Sequence, residues 1–271
     1  MRLLRYAGPD GPRWGRLEGE QIVPLTAAPW AGGRAGPGRL PLGGARLLAP
    51  VEPSKVLCVG LNYQEHRADE QGPDTLIAGI VARNLQDAPP KKDPILFLKA
   101  PSSIVAPGEP ILLPAGIGRV DFEAELTIVL GARLYRPRTR QEAAAAIFGY
   151  TTANDVSARE LQERDVQWMR AKSYDSFCPV GPWVETDFDP ADRRIQGLLN
   201  GEVRQDTSTR WLIADPVQLV FFAAQAMTLL PGDIFLTGTP SGLGPLQPGD
   251  VFTARVEGLG DLTNPVRALG A

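Results

Sequence analysis

The sequence predicts a β-rich α+β fold in which a small N-terminal β unit precedes a larger main unit. Short apolar strand patterns separated by Gly and Pro recur along the chain, and 29 Gly with 26 Pro among 271 residues leave little room for long helices. The few helical patterns do not alternate regularly with the strands, which argues against a doubly wound parallel sheet.

The composition excludes several classes of partner. Lys and Arg total 28 against 31 Asp and Glu, so the chain has no excess of positive charge. Binding to nucleic acid or to an anionic membrane is therefore not predicted. The chain reaches Gly8-Pro9 too early for a signal peptide, and its most apolar run, within 217–230, includes Gln and Thr. Cys58 and Cys178 lie in apolar stretches and predict buried free thiols. We therefore expect a cytoplasmic protein that acts on a small molecule.

Three hairpin-forming strands are predicted in the first 50 residues. They are Leu3–Tyr6, Trp14–Leu17 and Gln21–Val23. The Gly- and Pro-rich stretch Ala31–Gly44 predicts a loop. We place a boundary near Pro50–Pro53, which gives a domain of residues 1–52 and a domain of residues 53–271.

The main unit carries further strand patterns bounded by turn residues. They are Lys55–Val59, Ile95–Leu98, a strand around Leu112, Glu123–Leu130, Tyr150–Ala153, Ile234–Thr237 and Val251–Val256. Asn200-Gly201, between two strand-like runs, predicts a hairpin with a type I′ turn.

Helices are predicted where capping residues precede a helical pattern. Thr139 opens a capping box for a helix to Phe148, and Asp215-Pro216 starts a helix to Leu229. Asn62 is expected to cap a helix from Tyr63 to about Glu70, and residues 71–93 are expected to form a long polar excursion or lid.

An acidic stretch, Asp121–Leu126, alternates carboxylates with apolar residues. Alternate side chains of a strand share a face, so Asp121, Glu123 and Glu125 are predicted on one side and the apolar residues in the core. Three carboxylates on one face repel one another, and a hard divalent cation is the simplest way to offset this repulsion. The alternative is an ordinary amphipathic strand whose polar face meets water.

His66 is the only histidine, and Asp69 and Glu70 follow at helical spacing. A carboxylate at i+3 or i+4 faces the ring and raises its basicity, as a general base requires; the alternative is a routine pair on a helix surface. Asp155 follows a strand and precedes a helix start, which suits either a ligand or a helix cap.

Two lysines and one turn complete the candidate groups. Lys99 and Lys172 follow apolar residues, so each is expected to be partly buried beside a carboxylate or, alternatively, extended along the surface. The backbone N–H groups of the turn Thr237–Gly242 could bind a substrate carboxylate, whereas the turn lacks the Lys-Ser/Thr of a nucleotide-binding loop.

Taken together, these motifs resemble the fumarylacetoacetate hydrolase family. Nine segments match in order over nearly all of residues 53–271: Gly60–His66, Asp121–Leu126, Asn154–Arg159, Ala171–Tyr174, Asn200–Glu202, Thr237–Gly242, Gly249-Asp250, Glu257–Gly260 and Asn264–Val266. Each motif alone is weak, but so many in order are highly specific. The first 50 residues resemble the small N-terminal domain of some bacterial members.

The resemblance implies a mixed β-sandwich or β-roll catalytic domain, usually dimeric, that binds Mg²⁺ or, alternatively, Mn²⁺ or Ca²⁺. It implies Glu123, Glu125 and Asp155 as the metal ligands, and it leaves Asp121 outside that set. Lys172 would lie beside the metal. His66 would activate water or shuttle a proton. Its partner carboxylate would be Asp69 or Glu70, because hydrolytic members carry Glu where this chain has the shorter Asp69 and Glu70 is the next residue. The candidate substrate contacts are Lys99, Arg159, Gln162, Gly238 and Thr239.

The resemblance also implies a class of reaction. Family substrates share a 2-oxo acid or 1,3-dicarbonyl unit, from which a metal-stabilised enolate forms. We expect first an isomerase of 2-hydroxyhepta-2,4-diene-1,7-dioate, or a decarboxylase of its precursor, in aromatic catabolism. An acylpyruvate- or fumarylpyruvate-type C–C hydrolase is the second expectation. A non-catalytic protein that binds metal for stability is the alternative of another class.

Overall fold

The computed structural model describes residues 1–64 and 93–270. Its strands are β1 Arg2–Gly8, β2 Gly11–Glu18, β3 Gln21–Leu25, β4 Leu40–Pro41, β5 Leu47–Leu48, β6 Val56–Gly60, β7 Ile95–Lys99, β8 Ile104–Val105, β9 Ile111–Leu113, β10 Val120–Phe122, β11 Ala124–Leu130, β12 Ile147–Asn154, β13 Ser157–Ala158, β14 Cys178–Glu185, β15 Arg194–Leu199, β16 Glu202–Ser208, β17 Ile234–Leu236, β18 Gly244–Pro245, β19 Val251–Val256 and β20 Gly260–Ala268. Its α-helices are α1 Arg140–Ala146, α2 Arg159–Arg164, α3 Met169–Lys172 and α4 Pro216–Ala226. Within the described ranges, no helix is long and apolar enough to cross a membrane.

One large sheet joins the N-terminal strands to the main unit. Its order is β4-β3-β2-β1-β14-β12-β11-β17-β6-β7, with β5 beside β1 and β8 beside β14. The junction is the antiparallel pairing of β1 with β14, in which Arg2 lies opposite Glu185. Nearly all neighbours in this order are antiparallel, whereas β17 and β6 run parallel.

Two smaller sheets complete the fold. Strands β16-β15-β19-β20-β9 form one, and β13-β10-β18 form the other. The main hydrophobic core includes residues of β11, β12, β19 and α4, and within it Phe122 stacks on Phe252 with ring centroids 4.4 Å apart. The predicted β-rich α+β fold is therefore confirmed.

Local turn and cap chemistry follows the sequence closely. Asn200 and Gly201 both have positive φ, 53° and 85°, as the predicted type I′ turn requires. The N-caps also form as predicted, since Thr139 accepts the N–H of Glu142 and Asp215 accepts the N–H of Gln218. Both cysteines are free and buried, as predicted.

Two helix ends differ from the prediction, and two long strands, β14 and β20, were not predicted. Helix α1 ends at Ala146 because the next residues already belong to β12. Helix α4 ends at Ala226, since Met227 is extended. The long strand β20 was not predicted, because Pro265 and flanking polar residues interrupt its alternation. The helix expected from Tyr63 and the polar excursion lie mostly outside the described residues.

A buried carboxylate fastens the start of β6 to the turn before β17. The side chain of Asp233 is fully buried, and its oxygens accept the N–H groups of Ser54, Lys55 and Leu230 at 2.8–3.1 Å. It also accepts the hydroxyl of Ser54 and pairs with the ammonium of Lys55. Asp233 therefore satisfies groups from two chain segments that are distant in sequence.

Replacing Asp233 by asparagine is expected to lower the free energy of unfolding by about 2–4 kcal/mol. The new amide NH₂ faces donors, so at least one buried N–H loses its acceptor. Denaturant unfolding measures the change. Asp261→Asn is the control, because Asp261 pairs with Arg255 at the exposed surface and its loss is expected to cost less than about 1 kcal/mol. Equal effects of the two variants would contradict this account of Asp233.

Candidate metal centre

The acidic stretch forms two strands that are interrupted at Glu123. Strand β10 ends at Phe122 and β11 begins at Ala124, and every residue of β11 is buried. The N–H of Glu123 donates to the side-chain oxygen of Asn154 at 2.8 Å. The alternative of a polar face that meets water is therefore wrong, because both faces of this segment are covered.

Three carboxylates converge at the carboxyl end of β12. Glu123, Glu125 and Asp155 each offer an oxygen, and these three oxygens lie within 4.8 Å of one another. Each of the three side chains is buried, with no more than 5% of its residue exposed. Asp155 reaches the two glutamates because Ala124 and Asn154 pair across β11 and β12.

Glu123 is held in its charged form by two cations. Its oxygens accept the ammonium of Lys172 at 2.9 Å and the guanidinium of Arg159 at 2.5 Å, and the Ser157 hydroxyl approaches to 3.1 Å. Burial alone would raise the pKa of Glu123, but Lys172 and Arg159 more than offset this effect and lower the pKa to about 2.

Glu125 has a different environment. Its Oε2 accepts the N–H of Gly238 at 2.6 Å, and among the described residues no lysine or arginine contacts it. Burial, together with the nearby charges of Asp155 and Glu123, raises the pKa of Glu125 well above its ordinary value. Within the described ranges Glu125 is therefore the carboxylate of this cluster that forms no ion pair, and the charge of nearby Lys172 offsets only part of the rise in its pKa.

Asp155 bridges two buried lysines. Its oxygens accept Lys99 at 2.5 Å and Lys172 at 2.7 Å. The alternative role as a helix cap is wrong, because helix α2 begins after Ala158 and has no side-chain cap. Both lysines are 2% exposed, so the alternative of extended surface lysines is also wrong. Burial lowers the pKa of Lys172, but Asp155 and Glu123 outweigh it and raise that pKa, which keeps the ammonium charged.

Asp121 does not belong to the three-carboxylate cluster but anchors Arg159. It is fully buried, accepts Arg159 Nε at 2.9 Å, and forms a second ion pair with Arg119. Arg159 then donates to Glu123 and to the side-chain oxygen of Gln162, the latter at 2.8 Å. Asp121 thus fixes the guanidinium that neutralises a neighbouring carboxylate.

A pocket opens onto this cluster and encloses about 460 Å³ free of protein atoms, part of it open solvent. Its polar lining residues are Glu123, Glu125, Asp155, Arg159, Gln162, Lys172 and Thr239. Its other lining residues are Val59, Gly60, Leu61, Phe97, Trp168 and Leu243. One part of the wall is therefore charged and the remainder is largely apolar.

The structure places the other predicted contacts in different positions. Thr239 lines the pocket, although its hydroxyl donates to the Ala124 carbonyl and accepts from Gln205. Lys99 does not line the pocket, and its ammonium donates to Asp155 and to the Val156 carbonyl. The N–H of Gly238 binds Glu125, so it orients a carboxylate of the protein. The predicted catalytic group His66, Asp69 and Glu70 lies outside the described residues.

Several residues of the site were not predicted from the sequence. Asn154 and Gln205 hold the backbone of the acidic stretch, and Ser157 contacts Glu123. Trp168 forms part of the pocket wall. The position of Asn154 and Ser157 on either side of Asp155 was a usable signal, whereas nothing local to Gln205 or Trp168 predicts their roles.

The donor set fits a hard divalent cation. All three groups are carboxylates, which Mg²⁺, Mn²⁺ and Ca²⁺ prefer as ligands. Their oxygens are close enough together to share one ion, which would offset the charge of Glu125 that Lys172 compensates only in part. Glu123, Glu125 and Asp155 are therefore the residues that would hold the metal.

Substitution of Gly238 tests whether its N–H positions Glu125. Its φ of +93° favours glycine, and a Cβ there would lie 3.0 Å from the Cβ of Asn62. We expect Gly238→Ala to destabilise the protein by about 1–2 kcal/mol and to weaken Mn²⁺ binding by about 10-fold or more, because the N–H that orients Glu125 shifts. Calorimetric titration with Mn²⁺ measures the second effect.

Gly201→Ala is the matched control for Gly238. Its φ is +85°, and no atom lies within 4 Å of an added Cβ, so it introduces the backbone strain alone. Unchanged Mn²⁺ affinity in Gly238→Ala would show that the N–H does not position the ligand.

Comparison with known proteins decides the family. The family model described as "Fumarylacetoacetate (FAA) hydrolase C-terminal" matches residues 55–267, most of the chain. The chain belongs to the fumarylacetoacetate hydrolase family. A second model, described as "Rv2993c-like, N-terminal", matches residues 1–50 of this family member.

Full-length relatives of this fumarylacetoacetate hydrolase family chain include proteins of mycobacteria. "Protein Rv2993c" of Mycobacterium tuberculosis is 44% identical, with 98% of each chain covered. The crystal structure of 2-hydroxyhepta-2,4-diene-1,7-dioate isomerase from Mycobacterium marinum is 41% identical, covers 100% of each chain and has a TM-score of 0.87.

Relatives with other activities are also similar. The mitochondrial oxaloacetate tautomerase fahd2 of Xenopus laevis is 37% identical over 81% of this chain and 68% of its own length. Maleylpyruvate hydrolase from Sphingobium sp. SYK-6, in complex with manganese (II) ion and pyruvate, is 29% identical, with 99% of each chain covered and a TM-score of 0.77. The family thus includes isomerases, tautomerases and hydrolases.

Proposed function

We propose that this chain is a divalent-metal-dependent enzyme that binds a 2-oxo acid, or its 2-hydroxy-dienoate form, and moves a proton on the derived enolate. The reaction we propose first is the isomerisation of 2-hydroxyhepta-2,4-diene-1,7-dioate. The observation that carries the proposal is the set of three buried carboxylates, with oxygens within 4.8 Å of one another, in a pocket that Arg159 and Lys172 also line. The full-length similarity to the Mycobacterium marinum isomerase supports the reaction type.

A metal ion held by Glu123, Glu125 and Asp155 would supply Lewis acidity toward the carboxylate and oxo oxygens of the substrate. The chain's own cations lie at the same end of the pocket. Lys172 and Arg159 hold Glu123 ionised, and their remaining N–H groups are available to an oxygen-rich headgroup.

The apolar part of the wall has a complementary role. Phe97, Trp168 and Leu243 line the pocket, and a substrate packed against them would displace water and so strengthen the electrostatic interactions of the charged end. The proton acceptor in this proposal is His66, on the basis of its sequence motif. Loss of carbon dioxide from the precursor gives the same kind of enolate, so decarboxylation is compatible with the same site.

The test is an assay of the purified protein with Mg²⁺, Mn²⁺ and Ca²⁺ on a panel of 2-hydroxy-dienoates, acylpyruvates and oxaloacetate. We expect turnover that requires metal and is removed by a chelator. Glu123→Gln should lose both metal affinity and turnover. If no panel member reacts and Glu123→Gln binds metal as the wild type does, the chain is not the enzyme that we propose.

A second candidate is C–C bond hydrolysis of an acylpyruvate or fumarylpyruvate. The similarity to maleylpyruvate hydrolase, whose structure contains manganese and pyruvate, favours it. The products distinguish the two reactions, since hydrolysis releases a second acid and isomerisation does not. For the hydrolase, His66→Ala should abolish cleavage and leave Mg²⁺ affinity nearly unchanged. Cleavage that persists in this variant excludes His66 as the base that activates water.

A further inference from the structure

A close contact between Gly60 and Trp168 shapes the apolar part of the pocket. Both residues line it, and a Cβ on Gly60 would lie 2.6 Å from Cζ3 and 2.9 Å from Cη2 of the indole. Real Cβ atoms essentially never approach other heavy atoms this closely. The indole therefore occupies space that is open only because residue 60 is glycine.

One further contact holds the indole, and a backbone hydrogen bond holds the main chain of Trp168. Phe97 meets the indole edge to face, with ring centroids 5.3 Å apart and an interplanar angle of 70°. The carbonyl of Trp168 accepts the N–H of Lys172 at 3.1 Å, which ties the start of α3 to the charged end of the pocket. Trp168 is 9% exposed, so it has little freedom to move toward solvent.

The backbone of Gly60 is equally constrained. Strand β6 pairs with β17 over Val56–Cys58, and its pairing with β7 extends to Gly60, which lies opposite Ile95. Because this pairing with β7 fixes the backbone of Gly60, an added methyl group would displace the aromatic ring.

The two parts of the pocket wall match the two parts of a 2-oxo acid. The headgroup carries the carboxylate and oxo oxygens, which suit the charged end. Of the described residues that line the pocket, the two cations, Arg159 and Lys172, both contact Glu123 at that end. The carbon chain beyond C3 must then pack against the apolar residues, among which Trp168 has the largest side chain.

We propose that Trp168, positioned by Gly60, is a specificity-determining residue that limits how many carbons beyond C3 of the 2-oxo acid fit against the apolar wall; the test uses monoacids, so that a second carboxylate adds no effect of its own charge. The inference rests on the proposed function, because it concerns the substrate of the same site. The proposal concerns how many successive methylene groups the pocket accepts. In a close-packed apolar pocket each methylene group changes kcat/KM by about 10-fold or more.

The experiment uses hydrogen–deuterium exchange at C3 of four 2-oxo acids: pyruvate, 2-oxobutanoate, 2-oxopentanoate and 2-oxohexanoate. In each turnover the C3–H bond breaks, the proton passes through a base to solvent, and a C3–D bond forms, so no oxidant or reductant is required. NMR follows the exchange with Mg²⁺ present. The value compared is kcat/KM for each acid divided by that for pyruvate, which cancels differences in the amount of folded protein.

Two variants should move this ratio in opposite directions. Trp168→Phe enlarges the pocket and should raise the ratio for 2-oxohexanoate by about 10-fold. Gly60→Ala adds a methyl group and displaces the indole, and should lower the ratio for 2-oxopentanoate by a similar factor. The double variant should return toward the wild-type profile, since the smaller ring leaves room for the methyl group.

The outcomes separate the two proposals. If the wild type exchanges C3 hydrogens and all variants share its chain-length profile, the specificity role of Trp168 is wrong and the proposed function stands. If the wild type exchanges none of the four acids and turns over nothing in the wider panel, the proposed function itself is wrong. A purely structural role of Trp168 would lower all rates together and leave the ratios unchanged.

Discussion

Replacing Glu125 by glutamine is expected to abolish metal binding while it stabilises the metal-free protein. Turnover should fall by roughly 10²–10³-fold, because the bound metal contributes several kcal/mol of transition-state stabilisation and one of its ligands is lost. The free energy of unfolding without metal should rise by about 1 kcal/mol or more. Glutamine keeps an oxygen for the N–H of Gly238 and removes a buried charge that repels Asp155 and Glu123.

The same substitution should change the pH dependence of stability. Burial and like charges raise the pKa of Glu125 in the folded protein above its unfolded value. Stability from this group is therefore fully present below the unfolded pKa and is lost as the pH rises through the folded pKa. Glu125→Gln should remove this loss of stability toward neutral pH.

Denaturant unfolding of the metal-free protein over the acid-to-neutral range, together with Mn²⁺ titration, measures these effects. Glu202→Gln is the control, because Glu202 is exposed at the Asn200-Gly201 turn. We expect Glu202→Gln to change neither the stability of the metal-free protein nor its affinity for Mn²⁺. If Glu125→Gln destabilises the metal-free protein at neutral pH, the view that burial and like charges make ionised Glu125 unfavourable is wrong.

Replacing Lys172 by methionine is expected to have the largest effect on stability. The ammonium is buried and donates to both Glu123 and Asp155, so its loss leaves two carboxylates without one of their cations. Removal of one partner from a buried ion pair typically destabilises by about 3–5 kcal/mol. Because Lys172 also lines the pocket, turnover should fall as well.

Added Mg²⁺ or Mn²⁺ should restore much of the stability of Lys172→Met, since a bound cation replaces the missing positive charge. Thermal unfolding with and without metal measures this recovery. Lys55→Met is the matched control, because Lys55 also pairs with a buried carboxylate, that of Asp233, but does not line the pocket. Equal recovery of the two variants would show that Lys172 and the metal do not share the same carboxylates.

The ligand strand could be predicted from the sequence because its signal is local. Alternation placed Asp121, Glu123 and Glu125 on one face, and the structure shows all of them buried near cations or a backbone N–H. Alternation could not rank the three. Arg159 pairs with both Asp121 and Glu123, whereas Arg119 pairs with Asp121 and Lys172 pairs with Glu123. These positions depend on how the strand meets helices α2 and α3.

Residues far apart in the chain explain the remainder. Lys99 and Lys172 have similar apolar neighbours in the sequence, yet only Lys172 lines the pocket. The contact between Gly60 and Trp168 joins β6 to the start of α3, and no local pattern at either residue indicates it. The third carboxylate, Asp155, was identified by family resemblance, since its own sequence context allowed a helix cap equally well.

The pairing of β1 with β14 has a consequence for how the polypeptide is made. Arg2 and Leu3 of β1 pair with Glu185 and Val184 of β14, which are synthesised much later. Strands β1 to β3 can form a local meander early, and β5 pairs with Arg5 and Tyr6, but Arg2 and Leu3 at the same edge of β1 stay unpaired until β14 has emerged. Such distant pairing slows folding and leaves an exposed strand edge during translation. This part of β1 is therefore expected to need protection from aggregation until β14 has been synthesised.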